Sequence, residues 1–328
     1  MPYTGTATGT AGFSSFLQTL IRKELEQELL PTLPHLQDTG AFVKATFVKG
    51  SNSTMRFLRI PFLAVTTNNG TVAAGTAPWL TEGVAPAAQA LAFGNEEFTA
   101  YQAGQRVEVT DLALDENPQD LMSIAAVRVA RQAGATIDEY VGRIIAAGTN
   151  VVYAGAPPRV SRVTLTATDT LTGTLIRRVV QGMKLDSIPM FTDGTYHAIV
   201  SPAVVFDFEE DEAMGGWKAI GQYTSPGMLL SGELGKYAGV RFQESANARA
   251  FPGAGAAGVD VYSTVVFGPD FFAFGDWGNI TTHYVAPGGH GDELAQVASL
   301  GWKCRIGAML IDEAGPRYVR IESGASSI

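Results

Sequence analysis

Residues 117–155 constrain this chain most, because they spell one amphipathic helix of roughly thirty residues that stops abruptly. Asn117 reads as an N-cap, Pro118 suits the first helical position, and Asp120 complements the helix dipole in the first turn. Ala126, Ala130, Ala133, Ile137, Val141 and Ile144 recur at spacings of three and four and define a buried stripe. Arg128, Arg131, Asp138 and Arg143 fall on the other faces, toward solvent or a neighbour. Gly148 supplies a left-handed stop. At 1.5 Å per residue such a helix is about 45 Å long, and it carries no catalytic group. It reads as a structural beam.

A chain of 328 residues with 46% hydrophobic content has ample material for a core. Its net charge of -9 argues against a protein that neutralises nucleic-acid phosphates, which needs a basic face. Cys304 is the only cysteine, so an intrachain disulfide and the cysteine-rich zinc sites are excluded. The N-terminus lacks a basic-then-apolar leader, and no run approaches the roughly eighteen apolar residues of a membrane span. A soluble chain made inside the cell is expected, with no membrane partner.

Residues 1–12 form a Gly/Thr/Ala-rich arm with nothing to bury, which a neighbouring chain would have to order. Phe13, Phe16, Leu17, Leu20, Ile21, Leu25 and Leu29 then mark an amphipathic helix ended by Pro31 and Pro34. Strand patterns follow at residues 54–60 and 105–110. Between them Asn69-Gly70 suits a tight hairpin turn, and Gly75, Pro78, Gly83 and Pro86 leave a projecting loop poor in core residues. Beyond the long helix, residues 160–165 read as a strand, and Leu171, Leu175, Ile176, Val179 and Val180 as a second amphipathic helix. Residues 196–202 and 260–268 read as buried strands, each followed by a turn and a short helical segment. Residues 301–306 and 317–321 read as closing strands around a turn at 313–316. The class is α+β.

The candidate chemistry is thin. Gly253, Gly255 and Gly258 match GxGxxG, but Pro252 precedes them and a strand follows, so no helix start faces a phosphate and a flexible loop is expected. His283, His290, Asp292 and Glu293 lie close in sequence and include plausible metal or acid–base ligands, but their spacing fits no helical two-His arrangement. A polar loop is the reading there; the competing one is a metal-dependent hydrolase using His283, His290 and Asp292. The acidic run at 209–212 lacks the glycine and ligand spacing of a calcium loop and reads as a solvated helix end. His35 and His197 read as packing or surface residues. No catalytic, metal or cofactor site is expected, and no cofactor.

The order of these pieces resembles the Hong Kong 97-type fold of tailed-phage major capsid proteins. Residues 80–86 (LTEGVAP), 147–155 (AGTNVVYAG) and 297–303 (VASLGWK) are similar to the branch of that family typified by coliphage N-four. The resemblance runs from about Phe13 to Glu322. It implies an N-terminal arm and helix at 1–35, an extension loop built as a β-hairpin at 36–97, a peripheral domain with the spine helix at 98–160 and 287–328, and an axial domain at 161–286. It implies a non-enzymatic protein that assembles with itself into hexamers and pentamers of an icosahedral shell. That shell encloses double-stranded DNA without sequence-specific binding and is built in the bacterial host cytoplasm. A separate scaffolding protein is expected, since Met1 is present and the arm is too short to be an internal scaffolding domain. A portal and decoration proteins complete the implied partners. Cross-linking through Lys44 or Lys49 is not expected. An encapsulin-like compartment with enzyme cargo is the alternative shell, and the bare arm before Phe13 leans against it.

Overall fold

A computed structural model describes residues 34–37, 40–46, 54–59, 94–116, 121–210, 233–276, 280–289, 292–311 and 317–326. The arm and helix at 1–33, Lys49, the Asn69-Gly70 turn, the 80–86 motif, the Asn117 cap, Asp211, Glu212, His290 and the 313–316 turn lie outside these residues. In chain order the elements are α1 (Pro34–Gln37), β1 (Phe42–Thr46), β2 (Thr54–Arg59), β3 (Gly94–Thr99), β4 (Tyr101–Thr110), α2 (Asp111–Glu116), α3 (Leu121–Ala146) and β5 (Val151–Tyr153). There follow α4 (Gly173–Leu185), β6 (Tyr196–Val200), α5 (Pro202–Glu210), β7 (Glu233–Tyr237), β8 (Val240–Glu244), β9 (Ala250–Phe251) and β10 (Val261–Phe267). The chain closes with β11 (Phe272–Asp276), β12 (Thr281–Val285), β13 (Val297–Leu310) and β14 (Tyr318–Ser323).

Helix α3 has 26 described residues, about 39 Å of beam. Its buried side is rich in Ala126, Ala130, Ala133, Gly134 and Gly142, small residues that bring a sheet close to the helix backbone. Arg128, Arg131 and Arg143 are exposed, in line with the periodicity. Two positions differ from it. Ile145 takes the fully buried place in the last turn and Ile144 only flanks the core. Asp138 is buried at 0% exposure, because His35 on α1 covers it: the His35 backbone N–H donates to Asp138 Oδ1 at 3.1 Å, and His35 Nδ1 lies 2.8 Å from the same oxygen.

The beam packs on a five-stranded sheet ordered β1-β11-β13-β12, with β4 also pairing to β13. Strand β13 is its centre. Ala298, Leu300, Trp302, Cys304, Ile306, Ala308 and Leu310 alternate along it and are buried in the core that α3 shares. A seven-stranded sheet ordered β5-β14-β10-β6-β8-β7, with β9 on β10, forms the second layer system. Tyr196, Ala198, Val200, Val240, Phe242, Val266, Val319 and Ile321 form a second core with Leu175, Ile176, Val179 and Met183 of α4 and Val204 and Phe208 of α5. Ile199, Val265, Phe267 and Tyr318 of the same sheet belong instead to the core of α3, so one sheet serves both cores.

Strands β2 and β3 pair antiparallel from Thr54↔Thr99 to Arg59↔Gly94. A two-stranded ribbon gains little alone, and this one is anchored at its base by Phe98. Gly307 makes room for that ring: a Cβ there would sit 2.8 Å from it.

Four expectations need correction. Residues 160–165 are not a strand but an open loop with a 3-10 turn at Arg162–Thr164. Strand β10 is followed by a turn and β11 rather than by a helix. The closing strands do not pair with each other, since β13 lies in one sheet and β14 in the other. Gly148 has no left-handed conformation. It is glycine because the Tyr318 ring and Leu310 occupy the space a Cβ would need. Strands β11 and β12 join β13, while β14 joins β10.

Candidate functional site

Of the residues that suggested chemistry, Asp292 and the glycine loop are engaged in holding the backbone. Asp292 accepts from the N–H groups of Gly288 (3.1 Å), Gln296 (2.9 Å) and Val297 (2.9 Å). These bonds to Gln296, Val297 and Gly288 hold its carboxyl below the usual range. His283 is exposed on β12, and no cluster of three or more His, Cys, Asp or Glu able to hold a metal occurs among the described residues. The glycine loop is pinned rather than flexible: Ala256 N–H donates to Leu165 O at 2.8 Å and Gly253 N–H to Asp260 Oδ1 at 2.7 Å. Of the acidic run, Glu209 is exposed on the last turn of α5.

Two charged constellations escaped sequence reasoning, because their members come from distant segments. In the first, Glu322 (0% exposed) accepts from Arg162 Nε at 2.7 Å and Nη2 at 2.5 Å, and Arg320 Nη2 lies 3.1 Å away. Arg320 (5% exposed) also donates through Nη1 to the Ala146 carbonyl. A guanidinium thus meets the carbonyl end of α3, where the helix dipole favours a cation, and this caps the helix that Gly148 was expected to stop. Burial pushes the Arg320 guanidinium down, while the hydrogen bond to Glu322 raises that of Arg162. Asn150 Nδ2 adds a bond to Tyr318 O at 2.7 Å, which sets the β5–β14 pairing.

In the second, His197, Arg241 and Lys236 lie side by side on β6, β8 and β7 and share Asp193. The His197 ring stacks on Phe191 with centroids 4.0 Å apart. Burial raises the Asp193 carboxyl, but hydrogen bonds from Thr195 and His197 outweigh it and bring it to about 2. Both constellations are engaged by their own partners and tie strands together, although the buried Arg320 Nε has no hydrogen-bond partner.

Surfaces that the chain leaves uncovered are the remaining candidates. Strand β4 exposes most of its side chains, Tyr101 among them, and beyond β13 it pairs with no other strand of the described residues. Helix α2 buries none of its residues and exposes Leu112. Native proteins cover a long unpaired edge, and no strand of the described residues does so here. No described helix is long and apolar enough to cross a membrane. This arrangement suits protein–protein contact.

Solved structures share the architecture. The capsid of Ralstonia phage GP4 matches with a TM-score of 0.67 and 15% identity over 87% of this chain and 87% of that one. The Cyanophage Pam1 capsid asymmetric unit matches with a TM-score of 0.66 and 13% identity over 88% and 89%. The chain has the Hong Kong 97-type α+β fold. A virus-like particle from Pyrococcus furiosus shares the fold at a TM-score of 0.50 and 11% identity over 94% and 99%. No protein-family model and no curated protein sequence matches the chain.

Proposed function

We propose that this chain is the major capsid protein of a tailed phage, and that copies of it form the icosahedral shell around a double-stranded DNA genome. The observation that carries this is a likeness to phage capsids over nearly the whole of both chains. It is joined by the ribbon and the exposed β4 edge, which no other strand of the described residues covers. A heterologous contact repeated around a ring, and then between rings, closes such a shell. On this reading α3 and the five-stranded sheet form the peripheral domain, and the seven-stranded sheet with α4 and α5 forms the axial domain near the five-fold and six-fold centres. The resemblance of residues 80–86, 147–155 and 297–303 supports the branch typified by coliphage N-four. A scaffolding protein, a portal and decoration proteins are its further partners, and assembly occurs in the host cytoplasm. The acidic chain encloses DNA without reading its sequence.

A second reading, a compartment shell without a genome, is favoured by the Pyrococcus furiosus particle. Electron microscopy of the purified protein, with a nuclease-protection assay on particles from its native source, decides between them. Uniform shells holding nuclease-resistant DNA are expected. Shells filled with protein cargo support the second reading, and a protein that forms no particles, both alone and with its scaffolding protein, refutes both.

A further inference from the structure

Residues 154–169 form a closed loop whose two ends are fastened to the same strand. The Ala154 N–H donates to Glu322 O and the Gly324 N–H to Asp169 O, both at 2.9 Å, at the end of β14. Compact surface loops with their ends together and their own side chains packed inside are recurrent functional elements. Here the inside is charged. Arg159 Nε donates to Asp169 Oδ2 at 3.0 Å, and the same carboxylate oxygen accepts from Thr166 N and Oγ1 at 2.8 Å. Arg162 reaches Glu322 and lies over the Phe251 ring with 3.5 Å between Cζ and the centroid. Gly155 has φ of +114°, and a Cβ there would come 2.7 Å from Asp169 Oδ1, so only glycine fits the neck of the loop.

The outside is mainly apolar. Arg159, Arg162 and Asp169 are the loop's only ionisable side chains, and each is ion-paired, with the Arg159 side chain 38% exposed. Ala156, Pro157 and Pro158 are exposed, with Val160 at 87% and Val163 at 67%. Val160 and Val163 are three residues apart, as Arg159 and Arg162 are, so the turn sends arginines in and valines out. A surface held rigid in this way loses little conformational freedom on docking.

We propose that this loop is a preformed contact for a second copy of the same chain, anchored by Val160 and Val163. The occupant follows from charge. The chain carries -9 overall, so a contact between copies is favoured where the touching surface carries no unpaired charge. The loop meets that condition by pairing its arginines with Asp169 and Glu322. An unlike partner would gain from complementary charge, and the loop presents no unpaired ion to it.

This inference rests on the shell reading above, and the experiment separates the two. Cys304 is 4% exposed, so a Val160→Cys variant carries a single reactive thiol that a fluorescent maleimide can label. In particles assembled from the purified chain alone, labelling should be at least tenfold slower than in free subunits. A Val160→Asp/Val163→Asp variant should melt like the wild type, because both sites are exposed, yet form at least tenfold fewer particles. Equal labelling in particles and subunits, normal assembly of the double variant, or protection only when another protein is added each overturns the loop contact and leaves the shell intact. Absence of particles from the wild-type chain, both alone and with its scaffolding protein, overturns the shell reading and the contact with it.

Discussion

Glu322→Gln tests whether the joint between α3, β14 and the 154–169 loop is electrostatic. Wild-type Glu322 is fully buried and accepts two bonds from Arg162 while facing Arg320 at 3.1 Å. The amide keeps the shape but turns one acceptor into a donor aimed at a guanidinium, and it leaves Arg320, also buried, without its carboxylate. Removing one partner of a buried pair costs about 3–5 kcal/mol. With an unfolding entropy of about 2.1 cal/mol/K per residue, 328 residues give about 0.7 kcal/mol/K, so the melting temperature should fall by about 4–7 °C. Circular-dichroism melting of the unassembled subunit reads this directly. An Arg320→Met/Glu322→Met variant should be closer to wild type than Glu322→Gln, since apolar replacement of a whole pair is often neutral, apart from the Ala146 carbonyl that loses its donor. A Glu322→Gln melt within 1 °C of wild type, on the order of measurement error, refutes the argument.

Gly148→Ala places a methyl group against Tyr318 and Leu310 and should destabilise the subunit by about 1–3 kcal/mol in chemical denaturation. Tyr318→Phe should restore part of this, because the hydroxyl is the first atom met; no rescue would locate the strain elsewhere. Asp193 is depressed from 3.8 to about 2, so its pairing stabilises the fold above pH 3.8 and that stability is lost as pH falls through the folded value. The stability difference between wild type and Asp193→Asn should therefore be full at pH 5 and shrink toward zero by about pH 2; a difference independent of pH would refute the assignment. Arg162→Met keeps both exposed valines but frees their loop from Glu322, and it should raise the protein concentration needed for assembly about tenfold, equivalent to 1.4 kcal/mol, more than the loss of subunit stability accounts for. Light scattering against concentration measures it, and an unchanged threshold would show that the loop needs no fastening.

Periodicity along one element was legible; partners brought from far along the chain were not. The Ala126–Ala130–Ala133–Ile137–Val141 stripe and the second helix with Leu175, Ile176, Val179 and Val180 follow from spacing alone, and both are buried as their spacing requires. Asp138 reads as a solvent residue because its partner His35 lies 103 positions away, and no local pattern announces a buried pair. Residues 160–165 imitate a strand through Val163 and Leu165, yet Glu322, 160 positions beyond Arg162, pulls the arginine inward and leaves Val163 outside. The final strands illustrate the same limit at the level of topology: β13 and β14 each have strand composition, but their division between two sheets depends on β4, β10, β11 and β12. The strand that follows GxGxxG is legible as β10, while the bonds that pin the glycine loop to Leu165 and Asp260 have no signature in the sequence.

The partition of charge and apolar surface around β14 is the reverse of what a solitary subunit would favour. Two arginines and a glutamate lie at the joint of two cores, where well-packed apolar side chains would often be as stable or more so. Two valines stand in water a few residues away, each forgoing about 1.5–3 kcal/mol that full burial would return. Neither choice improves the isolated chain. Both follow if the charges serve to orient the loop and the valines are buried by another copy, since an ion pair fixes direction where apolar packing tolerates sliding. The subunit's weakest local choices are then the ones that assembly makes good, and the Arg162→Met and Val160→Asp/Val163→Asp variants separate the orienting role from the contact itself.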